Sequence, residues 1–296
     1  MPEIVMRPRL PYSLADSSAG SAGGTRRMRG GVLELWDRVD GEPVRLRLWQ
    51  RAGGEVVVHV ADGVDADRVH ERARFLIAAD VDPAPFLRIA RRDPLARAAA
   101  WRWPGMRPMR LTSPAHAVLA AVCGQLVSGR EAARRHRAVL RAVTGERDGL
   151  MLPPDQATLA AVSPAGCRAA GLPTGRAAAM IRACRGPALD RLADRPTARI
   201  VAAVTAVPGL GPWSAGIIAM RGFGRYEQGL VGDLGLMRLW AAVHGAWPAP
   251  EETASLLAPY GEWAGLASAY LLRHPLASLG GRPATQPTPR AAAASA

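Results

Sequence analysis

The chain has 296 residues, 49% of them apolar, and a formal net charge of +13. That length and apolar content exclude a disordered chain and favour two packed domains. All 38 cationic side chains are arginine, and a surplus of that size points to a polyanion, nucleic acid first.

Residues 4–10 read as a short strand. Residues 17–25, rich in Gly, Ser and Ala, read as a mobile loop. Three runs of period two follow, at 32–36, 44–49 and 55–60. Asp40-Gly41 and Gly53-Gly54 supply turns between them, so an antiparallel meander is expected. Residues 65–79 have helical spacing, with Val69, Ala73, Leu76 and Ile77 on one face. Residues 3–107 are thus expected to form an N-terminal α+β domain around an antiparallel sheet. Trp101-Arg102-Trp103-Pro104-Gly105 marks its boundary. Residues 108–278 read as a helical domain, which makes the chain mostly α. Ser113 caps its first helix, Pro114 takes the first turn, and Val118, Leu119, Val122 and Leu126 share one face. A second helix, 131–143, is basic at Arg134, Arg135 and Arg137, with Arg130 just before it. Short helices at 159–161, 166–170 and 176–184 are broken by Pro and Gly. Segments 251–258 and 263–272 close the fold. Residues 279–296, rich in Pro, Ala and Thr, are expected to be a disordered tail.

Cys123, Cys167 and Cys184 stand far apart in apolar surroundings and read as buried thiols of a reducing compartment. The six histidines show no zinc spacing with cysteines or acids. No run of ~18 apolar residues is present to span a bilayer. The N-terminus has no apolar signal segment. No basic amphipathic helix argues for a membrane surface. The expectation is a cytoplasmic, monomeric protein, nucleoid-associated if bacterial.

The most informative stretch is 207–238. It opens with Val207-Pro208-Gly209-Leu210-Gly211-Pro212, between apolar helical runs at 198–206 and 213–220. Two glycines can adopt φ > 0 and turn backbone N–H groups outward at a helix N-terminus. Such a nest binds a phosphate oxygen. Taken alone, the same residues also suit an ordinary αα-corner. Asp233 follows 22 residues after Gly211 and heads a new apolar-periodic run, as an N-cap does.

Hairpin, helix, the Arg221-Gly222-Phe223-Gly224 loop and the capping Asp233 together resemble the helix-hairpin-helix-GPD superfamily of DNA glycosylases. Upstream, Gly124-Gln125-Leu126-Val127-Ser128 is similar to the corresponding stretch of 3-methyladenine DNA glycosylase II, the AlkA type. The resemblance is strong over 108–274 and looser before. It implies the helix-hairpin-helix glycosylase fold, a small antiparallel-sheet domain at the N-terminus and base excision repair of alkylated purines in duplex DNA. It makes Asp233 the catalytic carboxylate. It makes Leu126 the wedge that fills the gap left by a flipped base, against the periodicity, which makes it a core leucine. It puts Gln125, Ser128 and Arg130 on the DNA face and has Pro208, Gly209, Leu210 and Gly211 grip the backbone. Trp213 stands where bifunctional relatives carry a Schiff-base lysine. It is expected in the base pocket, stacked on a cationic base or packed in the core. Strand cleavage by lysine is therefore not expected. No cofactor is implied beyond a monovalent cation at the hairpin carbonyls, and no cysteine cluster follows Asp233 to hold iron and sulfur. One departure is Leu271-Leu272, where the family has an aromatic near the end of the last helix. The alternatives are a glycosylase for hypoxanthine or uracil, and a non-catalytic damage sensor.

Overall fold

The computed structural model describes residues 3–20, 22–61, 63–186 and 189–278. The expected tail at 279–296 lies outside the described residues. Strands β1 (Glu3–Met6), β2 (Arg26–Arg29), β3 (Val32–Val39), β4 (Glu42–Gln50) and β5 (Val56–Val60) form one antiparallel sheet. Its order is β1-β5-β4-β3-β2. The three period-two runs are β3, β4 and β5. Leu33 pairs with Leu48, and Leu48 with Val58, all three buried. Helix α1 (Leu14–Ser18) precedes β2. Helix α2 (Ala66–Leu76) is capped by the Asp65 carboxylate and adds Val69, Ala73 and Leu76 to the sheet's core.

The loop expected at 17–25 is only partly one. Ser17 lies in α1 and is buried; its hydroxyl accepts from the Arg107 N–H and donates to the Gly105 carbonyl. Thr25 is also buried and donates to Ala22. Strand β2 escaped the sequence reading because Arg26 shares the inward positions with Met28, leaving one apolar residue among three arginines.

The rest is helical: α3 (Ala84–Ala90), α4 (Arg97–Arg102), α5 (Pro114–Gly124), α6 (Gly129–Val143), α7 (Gln156–Ala161), α8 (Pro164–Ala169), α9 (Thr174–Arg185), α10 (Thr197–Thr205), α11 (Pro212–Gly222), α12 (Leu234–His244), α13 (Ala264–Leu271) and α14 (Pro275–Ser278). A small hairpin, β6 (Glu146–Arg147) with β7 (Leu150–Met151), follows α6. These helices build two apolar cores. One surrounds α5, whose residues 114–119 and 121–123 are buried, and takes in faces of α6, α9, α10 and α11. The other joins α3 and α4 to α12 and α13. The buried residues from Val81 to Met106 therefore pack with the C-terminal helices rather than with the sheet. Trp213 and Ile217 of α11 pack against both cores.

The three cysteines are free and buried, as expected. Burial pushes the Cys123 and Cys184 thiols up to about 12. No helix among the described residues is long and apolar enough to cross a membrane. None of their His, Cys, Asp and Glu side chains cluster in threes for a metal.

Several arginines serve the fold rather than the surface. Arg107 is fully buried; its guanidinium donates to the carbonyls of Ala78, Arg9 and Pro11 and lies 4.9 Å from the Tyr12 ring. Arg72 grips Asp37 through two hydrogen bonds, and Arg110 grips Asp80 likewise. A planar fork that stays charged suits such carboxylates and carbonyls.

Between α5 and α6, His116 and His136 are buried with their Nε2 atoms 3.1 Å apart, and His116 Nδ1 lies 2.9 Å from Thr112 Oγ1. Burial holds both imidazoles below the usual histidine range, His136 at about 3. The unfolded chain then binds more protons than the folded one between about pH 3 and 6.5. Stability should be full above about pH 6.5 and fall as the pH drops, by up to about 1.4 kcal/mol per pH unit for each imidazole. Urea titrations from pH 7 to pH 4 check this. His136→Gln should flatten the slope, and an unchanged slope would remove the pair from acid unfolding.

Candidate active site

The hairpin joins α10 to α11. Only one of its glycines needs left-handed backbone: Gly209 has φ +96°, whereas Gly211 is extended at φ −96°. The expectation of two such glycines is corrected. A Cβ on Gly209 would also lie 3.1 Å from Ala179 Cβ on α9; around Gly211 there is open space. Leu210 turns its side chain into the first core and gives its N–H to the Val207 carbonyl. It offers the surface only backbone. The N–H groups of the exposed Gly209 and Gly211 have no intramolecular acceptor among the described residues. Pro212 begins α11, where a missing N–H is harmless. The Pro208 carbonyl accepts from Arg182 Nη2 at 2.9 Å. The hairpin oxygens are thus neutral carbonyls, the donor type that a hard monovalent cation takes, although two of them already accept side-chain hydrogen bonds.

Helix α5 ends at Gly124, earlier than its apolar spacing suggests. Gln125 leaves the helix at ψ 124°, and Leu126 sits at φ +53°, with its side chain 89% exposed. The core reading of Leu126 is thereby corrected: the spacing continues past the helix, but the backbone does not. Ser128 caps α6, its hydroxyl accepting from the Glu131 N–H. Arg130 is exposed and has no ion pair among the described residues. Its neighbours Arg134 and Arg135 both bond Glu131, whose carboxyl they pull down to about 2. The Gln125 amide donates to the Gly209 carbonyl at 2.7 Å and to Ser214 Oγ at 3.2 Å. It fastens the loop carrying Leu126 to the hairpin.

Asp233 caps α12. Its Oδ1 accepts from the Gly235 N–H at 2.8 Å, and its Oδ2 from the Trp213 indole N–H at 2.7 Å. Gly235 is needed here: a Cβ would come within 2.4 Å of Leu272 Cδ2 and 3.2 Å of Asp233 Oδ1. Leu272 therefore lies on the first turn of α12, while Leu271 is buried in the second core. On its other side, the Trp213 ring lies over Gly124, where a Cβ would stand 2.9 Å from Cη2.

The structure thus joins Gln125 to Gly209 and Trp213 to Asp233 through direct hydrogen bonds, with Leu126, Ser128 and Arg130 in the adjoining loop and first turn of α6. Sequence reasoning missed Ser214, Gly124, Gly235 and Arg182. The first three are small residues whose role depends on what approaches them through space. Among the other aromatics, Tyr260 and Tyr270 are buried and donate to Asp93 and to the carbonyls of Trp103 and Met106. A cleft of about 830 Å³ lies elsewhere, lined by Arg88, Arg92, Tyr260 and Trp263 among others and by none of the linked residues.

No protein-family model matches the chain. It is 34% identical over 173 residues, 56% of its length, to a probable bifunctional transcriptional activator/DNA repair enzyme AlkA of Mycobacterium tuberculosis. The match covers 34% of that relative, so the chain spans about a third of the curated relatives it matches. Among solved structures it is similar to a 3-methyladenine DNA-glycosylase from Archaeoglobus fulgidus, with a TM-score of 0.77 and 18% identity over 92% of this chain and 97% of that one. It is also similar to an 8-oxoguanine glycosylase/lyase of Clostridium acetobutylicum, with a TM-score of 0.73 and 14% identity over 93% and 96% of the two chains. The fold is that of the helix-hairpin-helix-GPD DNA glycosylases.

The exposure of Leu126 makes a direct prediction. Leu126→Ala should change unfolding free energy by less than about 0.5 kcal/mol, whereas a buried leucine would lose roughly 2–5 kcal/mol. Chemical denaturation of the variant distinguishes the two.

Proposed function

We propose that the chain is a monofunctional DNA glycosylase that removes alkylated purines, of the 3-methyladenine and 7-methylguanine type, from double-stranded DNA and leaves an abasic site. The observation that carries this reading is the Asp233 carboxylate, held by two N–H donors and joined through Trp213 to a glycine hairpin in a strongly basic chain. The fold and the AlkA relative support it.

The chemistry follows from the parts. A base must leave the stack before its glycosidic bond can be reached. The free N–H groups of Gly209 and Gly211 suit a phosphate oxygen, with Arg182 beside them. The hairpin carbonyls would hold a monovalent cation that adds positive charge near that phosphate. Leu126, exposed on a loop fastened to the hairpin, suits the gap left by the base. As the C1′–N bond breaks, its electron pair leaves with the base, and positive charge grows on the sugar. The Asp233 anion stabilises that charge and orients the water that attacks C1′, whose proton passes to solvent.

The partners of Asp233 are a backbone N–H and an indole N–H, and neither is an acid that could protonate a leaving base. This favours a base that already carries a positive charge, as an alkylated purine does. An indole N–H committed to a carboxylate is no amine nucleophile, and the chain has no lysine. Water is then the nucleophile, and the strand stays intact.

Methylated duplex DNA incubated with the protein should release 3-methyladenine and 7-methylguanine, identified by chromatography. Asp233→Asn should lower the release rate at least tenfold, about 1.4 kcal/mol of barrier, with DNA binding retained. Release of neither base, or a rate above a tenth of wild type in the variant, would contradict the reading. Borohydride added during turnover should trap no covalent enzyme–DNA adduct. A trapped adduct would reopen the lyase question.

A further inference from the structure

We infer that Trp213 is the positioning residue for the Asp233 carboxylate: its indole N–H, rather than its ring face, is what the reaction uses. The inference rests on the reading of Asp233 as the reacting carboxylate. With Oδ2 held by the indole and Oδ1 by the Gly235 N–H, both oxygens are fixed, and so is the plane of the carboxylate.

The ring is itself immobilised. It packs against both helical cores, and its far edge lies over Gly124, where any side chain would displace it. Trp213 belongs to the hairpin's own helix, and Asp233 heads a helix of the second core. The hydrogen bond crosses the seam between them. It sets where the carboxylate stands relative to the phosphate grip, which neither core defines alone.

The choice of donor also has a chemical consequence. The chain carries 38 arginines and uses several to hold carboxylates. Among the described residues none pairs with Asp233; its donors are neutral. A guanidinium would orient the carboxylate equally well, but its charge would oppose the positive charge developing on the sugar. Neutral donors orient the anion and leave its charge available.

The test replaces the N–H and keeps the ring. Trp213→Phe retains an aromatic face. A variant carrying β-(3-benzothienyl)alanine at 213 keeps the indole's shape, with sulfur in place of N–H. Single-turnover excision is measured on a duplex with one 7-methylguanine, together with binding to an abasic duplex and thermal unfolding. Both variants should lose roughly 10- to 100-fold in rate, the worth of one hydrogen bond to a charged group. Duplex binding should be unchanged, and the benzothienyl variant should melt as the wild type does. Adding either change to Asp233→Asn should cause little further loss. Full activity in the benzothienyl variant would overturn the inference and leave Trp213 as a stacking or packing residue, with the glycosylase reading intact. Full activity in Asp233→Asn would overturn both, and an equal loss from Trp213 substitution in the Asp233→Asn background would overturn the coupling alone.

Discussion

The indole of Trp213 belongs to two apolar cores at once, and the arrangement of the site follows from that. Around α5, a helix of small apolar residues buries almost its whole surface, so its neighbours approach closely. Around α13, larger side chains fill a second core that α3 and α4 complete. Helix α11 runs where the two meet. Its N-terminus carries the hairpin, and its second residue reaches across to the cap of α12. Packing density makes such a seam stiff: close-packed interiors transmit displacement rather than absorb it. A methyl group at Gly124 would press on the Trp213 ring, and one at Gly235 on Leu272 and the Asp233 carboxylate.

Much of the architecture was legible in the residues. The period-two runs are strands, the helix expected over 65–79 starts just after Asp65, the Asp233 cap lies where its helix starts, and the hairpin sits between α10 and α11. What was not legible depended on encounters between distant segments. Leu126 continues an apolar spacing that the helix abandons, because Gln125 turns out of the helix to meet a carbonyl 84 positions away. Helices α3 and α4 are short and rich in Pro, Ala and Arg, and their burial comes from the C-terminal helices, not from their own pattern. Trp213 could be placed at the site from the sequence, but the direction of its N–H depends on the seam.

Arginine was the most misleading signal. A net charge of +13 reads as a surface, yet Arg107 and Arg110 are buried, and Arg72 is committed to a buried carboxylate. In a chain without lysine, guanidinium groups also take the internal tasks, where a delocalised charge and a planar fork of donors satisfy several carbonyls together. The cationic side chains left for a polyanion are therefore fewer than the composition suggests. Among the arginines beside the loop and the hairpin are the exposed Arg130 and Arg182, the latter bonded to the Pro208 carbonyl.

The cap that Asp233 forms and the reaction proposed for it do not compete. A cap uses one lone pair of one oxygen, and Gly235 requires no more than that. Capping alone would still leave the carboxylate free to rotate about its Cβ–Cγ bond, as exposed N-caps do. The second bond, from Trp213, removes that freedom. A structural cap has no need of it, since the helix is closed once Gly235 donates. The extra donor, brought from another helix and packed over a glycine, is the feature that separates this aspartate from an ordinary cap.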